Sequence, residues 1–174
     1  MIRANAELPA GGRQGKKRRV TPTPKIPRPA SPREWMDAFA KAVRGRDLDA
    51  GLGLVAPWIV GFGTSAHRAN GADTLRRRQW SRVWLRTRGF SFAKDGMRVI
   101  LSGDGKLACV LAEWTSQAAR PKGKAARRRG RCTVILAKRA AGWKSLHTHF
   151  SLTPQPEFPP MAVRGSKPSA RARR

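Results

Sequence analysis

His147 and His149 stand two residues apart in a stretch that reads as a β-strand, so both imidazoles project from one face. Two histidines on one face can begin a metal site, but a third ligand is needed. His67 lies in a distant turn, and Glu113 would have to share that face. The expectation is therefore no metal. Proton transfer next to a carbonyl needs a carboxylate base of raised pKa and a hydrogen-bond donor for the oxygen. Asp47 and Asp73 read as helix caps, and Asp95 and Asp104 as turn residues. Glu113, inside a strand, and the uncommitted Asp49 are the two candidate bases. Glu113 reads equally well as a cross-strand ion-pair partner of Arg128 or Arg131. Arg131 opens a strand and could clamp an anionic ligand through two parallel N–H bonds. Trp58, Trp80, Trp84, Trp114 and Phe150 are candidates for an apolar pocket wall, or for plain core packing.

These side chains need elements to hold them. Ser31-Pro32-Arg33-Glu34 has the form of a helix start, with Ser as cap, Pro at the first position and Glu at the third. Trp35, Phe39 and Val43 follow at helical spacing, and Gly45 suits the far cap. Asp47 can cap a second short helix, and Pro57–Phe62 reads as a short strand. Asp73–Arg86 predicts a third helix, with Leu75, Trp80, Val83 and Trp84 on one side and five arginines on the other. Four strands come next. Phe90–Leu101 carries a turn-like Lys94-Asp95-Gly96, and Ser102-Gly103-Asp104-Gly105 signals a hairpin into Leu107–Ser116. A basic loop leads to the final hairpin, Arg131–Lys138 and Trp143–Leu152. In the last strand Lys144, Leu146, Thr148, Phe150 and Leu152 are expected to face a core. Trp143, Ser145, His147, His149 and Ser151 are expected to face outward.

The end of this pattern resembles the C-terminal part of SnoaL-like domains, of the nuclear-transport-factor-2-like or ketosteroid-isomerase-like superfamily. Gly130, Arg131, Thr133, Gly142, Trp143, His147, His149 and Ser151 carry the likeness, which extends more weakly over Ser31–Pro154. The resemblance implies an α+β cone, in which a curved, mostly antiparallel sheet wraps around N-terminal helices and encloses a pocket. It also implies a homodimer paired through the outer sheet face, which would place His147, His149 and Ser151 at an interface. Members include isomerases, cyclases, dehydratases, ligand binders and dimerisation modules, so fold alone does not choose among them. The phenolic donor used by the isomerases is missing, because the chain has no tyrosine.

The 174 residues carry a net charge of +27, much of it at the ends. Residues 1–33 hold nine Lys or Arg and one acid, and residues 155–174 hold five and one. Low periodicity and high Pro, Gly and charge predict disordered basic tails at 1–30 and 155–174, around one domain at 31–154. Arg120–Arg131 adds a basic loop. Such charge attracts polyanions through counterion release, without the motifs that read sequence. Cys109 and Cys132 match neither a disulfide framework nor a zinc spacing, which favours a reducing, cytoplasmic setting. A loop centred near Gly123 would bring the two thiols close across the strands. No apolar run approaches the ~20 residues of a membrane span, no secretory leader is visible, and no cofactor motif is present. Three readings remain. One is a homodimeric pocket domain for a small apolar or weakly acidic molecule. The second is an isomerase, cyclase or dehydratase using Glu113 or Asp49. The third is a non-specific nucleic-acid or polyanion binder acting through its tails.

Overall fold

A computed structural model describes residues 27–119 and 124–154. Most of the two tails and part of the basic loop lie outside the described residues. Helix α1, Pro32–Gly45, begins as its sequence dictates. The Ser31 hydroxyl accepts from the Glu34 N–H at 3.2 Å, and a Glu34 carboxylate oxygen accepts from the Ala30 N–H at 2.9 Å. These bonds satisfy donors that no helical carbonyl can reach. Its far end departs from expectation. Gly45 stays helical, and Arg46 takes the left-handed conformation, with φ 55°. Helix α2, Leu48–Gly53, is capped by Asp47, which accepts from Ala50 N–H at 2.8 Å.

The expected third helix is broken into pieces. A short α3, Ala72–Leu75, is followed by a π-turn over Arg76–Trp80, then α4, Ser81–Val83, and a 3-10 turn over Trp84–Arg86. Gly71 precedes α3, and Asp73 makes no capping bond. The amphipathic split holds nonetheless. Leu75, Trp80 and Trp84 are buried, while Arg77, Arg78, Arg82 and Arg86 are exposed.

The strands are β1 Val55–Phe62, β2 Ala69–Asn70, β3 Thr87–Phe92, β4 Arg98–Leu101, β5 Leu107–Ala118, β6 Ala126–Arg139 and β7 Gly142–Leu152. They form one curved, unclosed sheet in the order β2-β1-β7-β6-β5-β3, with β4 also on β5. All pairs are antiparallel except β1 with β7. β3 and β4 share the same neighbour, so together they are one long strand interrupted at the Lys94-Asp95-Gly96 turn. Together with the helices, the sheet makes the α+β cone expected of the sequence.

Two registers decide which side chains face inward. Along β5, and along β6 as far as Leu136, alternation is strict. Ala108, Val110, Ala112, Trp114 and Ser116 are buried on one strand, and Gly130, Cys132, Val134 and Leu136 on the other. Glu113 is paired with Arg131 and Ser116 with Arg128. The cysteines are not neighbours. Cys109 pairs with Ile135, and Cys132 with Ala112, three rungs away and on the opposite face. Burial pushes the Cys132 thiol up to about 12, slightly opposed by a hydrogen bond from the Ala112 backbone. It is therefore not a thiolate at neutral pH.

β7 breaks the simple alternation. Ile135 faces His147 but Leu136 faces Ser145, so Leu146 is an extra residue, a β-bulge. The bulge switches the phase of the strand. Trp143 and Ser145, expected outside with the histidines, are buried at 4% and 0% exposure. Beyond the bulge Thr148 and Phe150 turn inward, and His147, His149 and Ser151 outward. Trp143 also fixes the end of the expected N-terminal tail. Its backbone N–H donates to Pro29 O at 3.0 Å and its indole N–H to Ala30 O at 3.1 Å. Pro29 is buried, so packing onto the domain includes residues before Ser31.

Candidate functional site

The inward faces of α1, the broken helix and β3, β5, β6 and β7 meet in an aromatic cluster. Phe39 is at its centre. It stacks on Trp35 at 5.1 Å and on Phe150 at 5.5 Å, and it meets Trp84 edge-on at 5.4 Å. Trp80 and Trp84, four residues apart on either side of α4, stack on each other at 4.4 Å. Trp114 meets Phe90 at 5.9 Å and Phe150 at 6.4 Å. Trp114 also donates its indole N–H to Arg131 O at 3.2 Å, which satisfies the one polar atom of that buried ring.

A cavity of about 40 Å³ lies between this cluster and the open end of the cone. That is room for roughly three waters, far below the ~300 Å³ of a pocket for a drug-sized ligand. Its apolar wall is made by Phe39, Trp80, Trp84, Phe90, Trp114 and Phe150. Its polar lining comes from Thr87, Ser116, Thr148, Gln79, Thr64 and Arg128. Gln79 holds the rim in place. Its side-chain oxygen accepts from the Ser65 and Ala66 N–H groups at 3.0 and 2.7 Å, which pins the loop that carries Thr64. Thr64, Val83 and Arg128 also border an open depression of about 660 Å³, where Arg82 and Arg86 stand.

The residues singled out from the sequence divide between inside and outside. Trp84, Trp114 and Phe150 line the cavity, as does Trp80. Trp58 does not. It is 64% exposed on β1, with the Arg139 guanidinium 6.0 Å from its ring centre, because its neighbour Ile59 takes the inward place. Neither candidate base faces the cavity. Glu113 is on the outer face of β5, since Ala112 and Trp114 hold the inward positions. Asp49 pairs with Arg76 at 3.1 Å on the surface. Arg131 is likewise exposed outside, directly across from Glu113, and these two border an outer groove with His149 and Ser151. No ion pair between Glu113 and either Arg128 or Arg131 exists among the described residues. His147 and His149 sit edge-on to Phe62, at 5.3 and 5.7 Å. No group of three His, Cys, Asp or Glu side chains able to hold a metal occurs among the described residues.

The arginine that does reach the cavity is Arg128. Its Nη2 donates to Thr87 Oγ1 at 2.8 Å, and the Thr87 hydroxyl donates to Val83 O at 2.7 Å. Burial holds the Arg128 guanidinium below its ordinary pKa. Strand parity could have found it. With Cys132, Val134 and Leu136 inward, position 128 must point inward too.

A family model for the SnoaL-like domain matches residues 33–155. The chain belongs to the SnoaL-like domain family. Among solved structures, this SnoaL-like domain is similar to a nuclear transport factor 2 superfamily protein from Salmonella enterica serovar Typhimurium. The TM-score is 0.61 at 17% identity, over 77% of this chain and 93% of that one. It is also similar to a ketosteroid isomerase-like protein from Erwinia carotovora, with TM-score 0.61, 16% identity and coverage of 71% and 94%. A third similar structure is a nuclear-transport-factor-2-like protein of unknown function from Pseudomonas putida. There the TM-score is 0.55 at 23% identity, over 72% and 86%. At such identities the likeness shows the fold. Among curated proteins, none matches the chain. No helix among the described residues is long and apolar enough to cross a membrane.

Proposed function

We propose that this SnoaL-like domain is a non-catalytic receptor for a small, largely apolar molecule held inside the cone. One observation carries the reading. Among the described residues the cavity wall is aromatic and contains no carboxylate or imidazole, so it offers a binding surface without a general base. Glu113 and Asp49, on which a catalytic reading depends, both stand on the surface. The test is a tryptophan-fluorescence titration with propionamide, a neutral probe small enough for the cavity. Saturable quenching by the full chain is expected. Val83→Phe, which thrusts a ring into the slot from its half-buried helical position, should weaken binding at least tenfold while leaving the far-ultraviolet circular dichroism unchanged. Equal binding by both proteins would mean that the ligand is not in this cavity.

The outer sheet face supports a homodimer. His149 shares a rung with Leu111, Thr133 and Phe62, and His147 one with Cys109, Ile135 and Val60. Ile100, Leu111 and Phe62 are 57%, 39% and 37% exposed on this sheet, a good deal of apolar surface for a free monomer. His149→Asp would put a carboxylate in that patch. It should raise the dimer dissociation constant about tenfold or more in sedimentation velocity, and leave propionamide binding unchanged. A dimer as tight as wild type would place the interface elsewhere.

A polyanion-binding reading draws support from the clustering of Arg82, Arg86 and Arg128 around one depression, beside the rung Arg88, Gln117 and Arg127. Most of the charge it invokes lies in segments outside the described residues.

A further inference from the structure

Arg128 and Ser116 face each other across β5 and β6, and both line the cavity. Ser116 is 4% exposed, and its hydroxyl has no hydrogen-bond partner among the described residues. Arg128 Nε is buried and equally unpartnered. Neither of the two ion pairs among the described residues includes Arg128, so no described carboxylate is set against its charge. Leaving such a donor buried and unmet is costly, although the half-buried Arg128 guanidinium keeps part of its charge toward the open depression. Two such groups on one rung point to something that meets both.

The chemistry of that partner follows from the donors. Arg128 has only donors, and the Ser116 hydroxyl can donate as well, so the partner must accept. With one Nη2 hydrogen bonded to Thr87, the Nε–H and the other Nη2 hydrogen remain as a parallel fork. A fork of that shape matches the two oxygens of a carboxylate. Beside it stands the wall of Phe39, Trp84, Trp114 and Phe150, which suits an apolar body. The 40 Å³ of free space keeps that body small.

We infer that the cavity takes a compact monocarboxylate, with its carboxylate on Arg128 and Ser116 and its apolar part in the aromatic slot. This rests on the receptor reading above and deepens it by fixing the ligand's charge and size. Arg82 and Arg86, around the adjoining depression, draw anions toward the mouth but provide no fork inside it.

The test is calorimetric titration of the full chain with propionate and with propionamide, which share a two-carbon apolar body small enough for the cavity and differ in charge. Propionate should bind at least tenfold more tightly. Arg128→Gln should remove that preference, leaving the two ligands within about twofold. It removes one positive charge of 37, so general attraction of anions by the chain would survive it. Ser116→Ala should weaken propionate severalfold and leave propionamide unchanged, and it decides the matter if Arg128→Gln fails to fold. If propionamide binds but propionate binds no better, or if the preference survives in Arg128→Gln, the carboxylate assignment is overturned and the receptor reading stands. If neither compound binds, both are overturned. If inorganic phosphate competes with propionate at equal concentration, the site is a general oxyanion site and the monocarboxylate assignment falls.

Discussion

Phe39→Ala should destabilise the domain by about 3–5 kcal/mol, the range for removing a large buried aromatic side chain. The residue is 3% exposed and meets six other aromatic rings, those of Trp35, Trp80, Trp84, Phe90, Phe92 and Phe150. Those partners come from α1, the broken helix, β3 and β7, so one side chain ties the helices to the sheet. Alanine would leave a void beside an existing cavity, where the rigid rings around it have little scope to collapse. Total stabilities of domains this size are about 5–15 kcal/mol, so the loss is a large share. In a thermal melt the midpoint should fall by about 10–20 °C. Phe39→Leu, which keeps most of the volume, should cost far less. A drop of only a few degrees for Phe39→Ala would mean that the cluster is not the centre of the core.

Gly130→Ala should cost about 3 kcal/mol or more, although it adds a single methyl group. Gly130 lies opposite Trp114 on β5, and the indole lies across the bare backbone. A Cβ there would overlap both the Trp114 ring and the Ser151 carbonyl oxygen on β7. One of those is backbone in a paired strand, and the other is a buried ring bonded to Arg131 O, so neither yields cheaply. Gly103 is the control. A Cβ there meets nothing within 4 Å, and Gly103→Ala should shift a urea midpoint little or not at all. If the two variants unfold alike, the packing of Trp114 on Gly130 is wrong.

The parts legible in the sequence were those written in local chemistry. The Ser31–Glu34 cap, the Asp47 cap and the Ser102–Gly105 turn each rest on side chains bonding their own backbone, which spacing reveals. The presence of β5 and β6 was legible in their apolar content, but not which of their residues face inward. What escaped was set by register. The bulge at Leu146 carries no composition of its own, yet it turns Trp143 and Ser145 inward and keeps the histidines outside. The same logic separates Arg128 from Arg131. Both open β6 in a run of basic residues, and only their odd or even place relative to Cys132 sends one into the cone and the other out. Glu113 is excluded from the cavity by that parity and by nothing in its own chemistry. The break in the third helix was hidden too, because Leu75, Trp80 and Trp84 keep an apolar side through the π-turn.

Ligand entry into the cone is tested most directly by a nuclear magnetic resonance titration of the tryptophan indole N–H signals with propionate. Single Trp→Phe variants would assign the six signals. Trp80, Trp84 and Trp114 line the cavity, while Trp58 is 64% exposed on the outside of the cone. Saturable shifts are expected at the three cavity tryptophans, with one common dissociation constant, and none at Trp58. A shift confined to Trp58, or no shift at any cavity indole at saturating propionate, would contradict binding inside the cone.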